Sequence, residues 1–229
     1  MKRMLGICLL LALTLSMASG LATETAPEEQ TTFYALPYYD ATFSGVLFGE
    51  IFNTSAVPIE IDGATYTFLD ADGFATASDD IYYIFPEVIP AGGKGFYMVD
   101  ENIETALAAT DIADYQVTLV RAKATEAFTL PSTCEFEEST DYRGKREITL
   151  RGTIENNTEA LVYSPGVVWG VYGTDGTLLY ADYEDAYAVY LYPGSKIMLD
   201  AEIDSDVMDW LNANEVAIGE VVSVAWYEE

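Results

Sequence analysis

The sequence predicts an all-β chain folded as two tandem β-sandwich domains, each with a short helix before its last strand. Three observations carry this expectation. Apolar and polar residues alternate over short runs, as in Ile148, Leu150, Gly152 and Ile154 against Thr149, Arg151, Thr153 and Glu155, which is the period of a strand with one buried face. Turn formers punctuate those runs at regular intervals. The chain also matches itself when shifted by 103 residues.

Taken in order, Lys2 and Arg3 precede an apolar stretch from Met4 to Ala18 and the small residues Ser19, Gly20 and Ala22. This is the build of a secretory signal peptide over 1–22, with cleavage near Gly20 or Ala22. The apolar stretch is shorter than the roughly 20 residues that a membrane span needs, so no membrane insertion of the mature chain is expected. An acidic tether follows over 23–32. The first module is expected at 33–122, a linker with its leading strand at 123–145, and the second module at 146–229.

The repeat sets the landmarks. Gly49-Glu50-Ile51-Phe52-Asn53 falls on Gly152-Thr153-Ile154-Glu155-Asn156, Asp72-Gly73 on Asp175-Gly176, Pro90 on Pro193, and Lys94 on Lys196 after one deletion. Tyr34-Ala35-Leu36-Pro37 is matched to Phe128-Thr129-Leu130-Pro131. Asp-Gly between apolar runs predicts a hairpin in each copy. The last strands are expected at Tyr115–Val120 and Val221–Trp226. Ahead of them, Ile103 with Leu107 and Val207 with Leu211 share a helical face. About seven short strands per copy point to a sandwich of the immunoglobulin-like sort.

At these landmarks the repeat resembles the FxLYD-type modules of exported bacterial proteins. Gly49–Ser55, Phe68-Leu69-Asp70-Ala71-Asp72-Gly73 and Pro90–Lys94 carry the likeness in the first copy. Gly152–Thr158, Val171-Tyr172-Gly173-Thr174-Asp175-Gly176 and Pro193–Lys196 carry it in the second. The first copy lacks the name-giving Tyr; the second lacks the Phe, Leu and first Asp. The resemblance implies a sandwich module on secreted or surface proteins, and it transfers no catalytic residue.

Composition narrows function. The 229 residues include 38 acidic and 10 basic ones, for a formal charge of −28, and no histidine. A phosphate backbone would be repelled, so nucleic acid is not an expected partner. Histidine-based triads and metal sites are excluded. Cys8 lies in the leader, which leaves Cys134 without an internal disulfide partner.

Three groups of residues are candidates for function. Asp70, Asp72, Asp79 and Asp80 have the oxygen ligands that calcium takes, though not in EF-hand spacing, and hairpin chemistry is the simpler reading; no other cofactor is implied. Tyr183, Tyr187 and Tyr190, in a stretch with Tyr180 and Tyr192, suit either strand packing or a face that stacks on sugars or proline-rich segments. Val46, Phe48 and Phe52 lie on the strand face whose counterpart is Thr149, Arg151, Thr153 and Glu155. They are expected to meet the second module, the segment 33–39 or a partner, or else to be buried within their own module. The expected function is a secreted or cell-surface, non-enzymatic binding protein with an unknown protein or glycan partner. The alternatives are a carbohydrate-binding protein using the tyrosine face and, last, a carboxylate-dependent hydrolase.

Overall fold

Successive side chains of a strand point to opposite faces, so one strand can line two different layers. The central strands of this chain do so. A computed structural model describes residues 28–37, 43–99, 112–124 and 126–228. The leader and the helix expected around Ile103 and Leu107 lie outside those residues.

The first copy comprises β1 (Glu28–Pro37), β2 (Phe43–Phe52), β3 (Ile59–Leu69), β4 (Ala75–Asp80), β5 (Tyr83–Phe85), β6 (Val88–Ile89), β7 (Lys94–Val99) and β8 (Asp114–Lys123). The second comprises β9 (Thr129–Leu130), β10 (Ser132–Thr140), β11 (Arg146–Glu155), β12 (Val162–Gly173), β13 (Leu178–Asp185), β14 (Tyr190–Leu191), β15 (Lys196–Glu202), α1 (Ser205–Ala213) and β16 (Ile218–Glu228). They form four antiparallel sheets arranged as two β-sandwiches. In the first, β1-β2-β7-β5 packs on β3, which is flanked by β4 and β8 and paired with β6. In the second, β10-β11-β15 packs on β13-β12-β16, with β9 paired to β16 and β14 to β12.

The pairing itself is duplicated. Thr31 lies opposite Gly49 and Cys134 opposite Gly152; Thr65 lies opposite Asp80 and Val168 opposite Tyr183. A bulge interrupts the ladder between Phe68 and Leu69, and again between Val171 and Tyr172. Two expectations are corrected here. Residues 28–32, read as a tether, are strand, because β1 pairs with β2 from Glu28 opposite Phe52 onward. Tyr34–Pro37 does not correspond to Phe128–Pro131: the first ends β1 against β2, whereas Thr129–Leu130 pairs with β16 on the other kind of sheet. By register the partner of β1 is β10, and a short aromatic–proline run without turn landmarks misled the match.

Each copy is closed by a buried asparagine. Asn53 donates through Nδ2 to the carbonyls of Val57, Ile89 and Pro90 at 2.8, 3.0 and 3.0 Å, and its Oδ1 accepts from the backbone N–H and hydroxyl of Ser55. Asn156 donates to Ala160 and Leu191 at 2.9 and 2.7 Å and accepts from Thr158 in the same way. The side chain therefore ties the turn after β2 or β11 to the turn ahead of β7 or β15. An isosteric Asp could not donate, and Ala would orphan buried carbonyls at about 1–3 kcal/mol each.

Alternation then stacks the two sandwiches. On β2 and β7, Leu47, Ile51 and Tyr97 join the first copy's own core with Phe68 and Ile89. The intervening Val46, Phe48, Phe96 and Met98 join the core of the second copy. On β12, Trp169 lies against Gly152 of its own sandwich, whereas Gly170 meets Phe96 of the first. The sheets containing β3, β2, β12 and β11 thus lie in that order as four layers. Burying each large apolar side chain contributes about 1.5–3 kcal/mol. Helix α1 begins on Asp204, whose carboxylate accepts from the Asp206 and Val207 N–H groups, and it buries Val207, Met208 and Leu211.

Candidate functional site

Because the first copy's β2 face is apolar, it is covered. Val46 and Phe48 are buried, and the Phe48 ring meets Tyr180 of β13 edge-on at 4.9 Å. Phe52, at the end of β2, is half-buried. Val46 and Phe48 therefore hold the modules together and are not open to an outside partner. Around them, Thr32 donates from its hydroxyl to the Leu178 carbonyl at 2.5 Å, Tyr34 packs on Trp210 of α1 at 4.5 Å, and Phe85 stacks on both Tyr183 and Trp226 at 4.1 and 4.8 Å. Tyr183 therefore belongs to this joint.

One acid sits on the same β2 face. Glu50 is buried, accepts a hydrogen bond from the Tyr172 hydroxyl, and pairs with Lys94 Nζ at 2.6 Å. Lys94 also lies over the Tyr172 ring, 5.2 Å from its centroid. Burial, reinforced by the Glu50 hydrogen bond, raises the Tyr172 pKa well above the ordinary phenol value and keeps the group protonated. Gln30, Glu50, Lys94, Tyr172 and Glu220 line an open cleft of about 710 Å³ between the copies. Its two carboxylates are not a free acid–base pair, because Glu50 is already held by a cation and a phenol. Sequence reasoning missed this cluster. Its signal was an acid on an otherwise apolar strand face, which requires a cation on a neighbouring strand.

The aspartates do not converge. The Asp70 carboxylate accepts from the Asp72 and Phe74 N–H groups at 2.9 and 2.8 Å, closing the β3–β4 hairpin over Gly73 at φ +83°. Asp141 does the same for Arg143 and Lys145 over Gly144, so this is ordinary hairpin chemistry. Asp79 accepts from the Asp80 N–H, and both residues face solvent. Among the described residues, no group of three or more acids, cysteines or histidines is placed to hold a metal ion.

The remaining tyrosines gather at one end of the second sandwich. Tyr187, Tyr190 and Tyr192 are 83%, 57% and 67% exposed, flanked by the exposed Leu161 and Val189. Tyr163 of β12 lies opposite Tyr190 of β14, their rings tilted at 4.9 Å. The loop carrying Tyr187 is pinned: Ala186 N–H donates to the Pro165 carbonyl, Ser164 N–H to that of Val189, and Ala188 N–H to the Ser164 hydroxyl. Ser164 and Ala188 hold positive φ of 42° and 59° to make those bonds. In the first copy the pair equivalent to Tyr163 and Tyr190 is Glu60 opposite Val88. The sandwich therefore does not require tyrosine at these positions. Tyr163 was not singled out from sequence, because only strand pairing brings it beside Tyr190.

No protein-family model and no curated protein matches the chain. Among solved structures it is similar to the exo-chitosanase CsxA of Amycolatopsis orientalis, with 13% identity and a TM-score of 0.22 over 76% of this chain, and it spans 24% of that enzyme. It is also similar to the tandem CBM22 domain of Xyn10C from Paenibacillus barcinonensis (12% identity, TM-score 0.14, 89% of this chain and 85% of that one). Procruciferin, the 11S globulin of Brassica napus, gives 9% identity and a TM-score of 0.12 over 90% and 85%. Likeness this low carries no argument about a ligand.

Proposed function

We propose that this is an exported, non-enzymatic binding protein in which two immunoglobulin-like, FxLYD-type modules lock together and present the tyrosine surface of the second. The leader supports export, and the repeated Gly, Asn, Asp-Gly and Pro–Lys landmarks support the module type. The observation that carries the binding reading is the pinned array of solvent-facing Tyr187, Tyr190 and Tyr192 with the half-buried Tyr163 beside Tyr190, which the first copy does not repeat. Tyrosine gives a broad amphipathic contact at low conformational cost, which suits recognition. Large exposed apolar patches on a folded domain mark contacts.

The test is to screen the full chain and its Tyr187→Ala/Tyr190→Ala variant against glycan and peptide arrays. Binding that is lost in a variant retaining the parental melting temperature supports the reading. Identical array profiles for the two proteins overturn it. Sugar stacking on the same rings is the second reading, and sugar-only hits would establish it.

A further inference from the structure

Deepening the binding reading, on which this rests, we infer that the tyrosine surface takes a basic, arginine-rich polypeptide segment. The two stretches that build the surface carry carboxylates and no cation. Residues 157–163 bring Glu159, and residues 184–192 bring Glu184 and Asp185, all three exposed. The next cation along the chain, Lys196 at the start of β15, is already paired with Glu155 at 2.9 Å. A chain of formal charge −28 adds a long-range field that attracts cations and repels anionic partners.

The ring geometry selects among cations. Tyr163 and Tyr190 lie side by side at 4.9 Å with a tilt of 46°, and Tyr187 and Tyr192 stand outside them on separate turns. This is a spread array, not a cage closed round a single ammonium group. An extended chain with recurrent cationic groups fits it. Guanidinium fits best, because its plane stacks on a phenol ring while its N–H fork pairs with a carboxylate such as Glu184 or Asp185. In the first copy Glu60 and Val88 occupy the paired positions, so among the described residues the array is found in the second copy and not repeated in the first.

The probe is a short labelled peptide alternating Arg and Gly, titrated onto the full chain by fluorescence anisotropy. Tyr187→Ala/Tyr190→Ala is expected to weaken binding about tenfold or more, and Tyr190→Phe, which keeps the π face, to change it less than about twofold. Glu135→Gln/Glu137→Gln, which removes two carboxylate charges from the outer β10-β11-β15 sheet, a sheet that carries none of these tyrosines, is expected to leave it nearly unchanged. A lysine-for-arginine peptide should bind more weakly. Equal losses from the tyrosine and the distant glutamate variants would overturn the proposal, because binding would then be diffuse attraction. Neutral oligosaccharides binding at these tyrosines while the peptide does not would overturn the basic-segment assignment and leave the binding surface standing. Neither ligand class responding to the tyrosine variant would remove both.

Discussion

A Cβ on Gly170 would fall within the ring of Phe96, so the missing side chain of one sandwich is the seat for an aromatic of the other. Phe96 is fully buried. Gly170→Ala should therefore cost about 1–3 kcal/mol through overpacking. It should also split a single calorimetric transition into two, as the modules uncouple. An unchanged, single melting transition in the alanine variant would contradict the layered contact. Phe48→Ala, which empties the same seam, should cost about 3–5 kcal/mol.

The two buried asparagines make the duplication measurable. Asn53→Ala and Asn156→Ala each strand buried carbonyls, and each should destabilise by about 2–4 kcal/mol in chemical denaturation. Similar losses are expected because the two side chains make equivalent bonds in equivalent turns of the two copies. A large effect at one and none at the other would mean that only one turn depends on the side chain.

Tyr34 supplies a pH signature. Burial pushes its pKa up to about 12, and among the described residues its hydroxyl has no hydrogen-bond partner. In the unfolded chain a phenol ionises near pH 10. Below that, both states hold the proton and the group adds no pH dependence. Between about pH 10 and 12 the unfolded state loses its proton first, so stability falls as pH rises. Tyr34→Phe should be as stable as the parent or more so at neutral pH, and should fall less steeply above pH 10. Denaturant midpoints across that range provide the measurement, and a loss at pH 7 would reveal a partner for the hydroxyl.

Calcium should leave the melting temperature unchanged at millimolar concentration, because the Asp70 carboxylate is already turned onto two backbone N–H groups. Asp70→Ala should instead loosen the β3–β4 hairpin at a cost of about 0.5–2 kcal/mol, comparable to losing a helix cap. A calcium-dependent rise abolished by Asp79→Asn would reverse this assignment.

What could be read in advance follows from the range of the interactions. Strand alternation and turn residues are local, so the Asp-Gly hairpins and the odd–even split of β2 and β11 were legible. The apolar face of Val46 and Phe48 stood out because its polar counterpart in the second copy served as an internal control. Long-range pairing was not legible. Lys94 reaches Glu50 only because β7 lies beside β2, and Tyr172 comes from the other module. The tyrosines show the same limit: period and density mark Tyr183, Tyr187 and Tyr190 alike, yet Tyr183 is stacked on Phe85 and the other two face water.

Each copy offers one surface that could extend the row and one that could receive another. The outward side of β11, flanked by β10 and β15, carries Thr149, Arg151, Thr153 and Glu155, with Arg151 bonded to Asp200 at 3.1 Å and close to Glu135 and Glu137. At the far end, Thr65, Thr67, Ser78, Gln116 and Thr118 occupy the positions around β3 that in the second copy receive the first. Adding a third sandwich at either end would strip water from these hydroxyls and carboxylates, and exposed apolar side chains such as Met198 of β15 and Val120 of β8 would offset only part of that cost. The two ends of the row are thus more polar than the seam between the copies, which disfavours head-to-tail addition of a further copy.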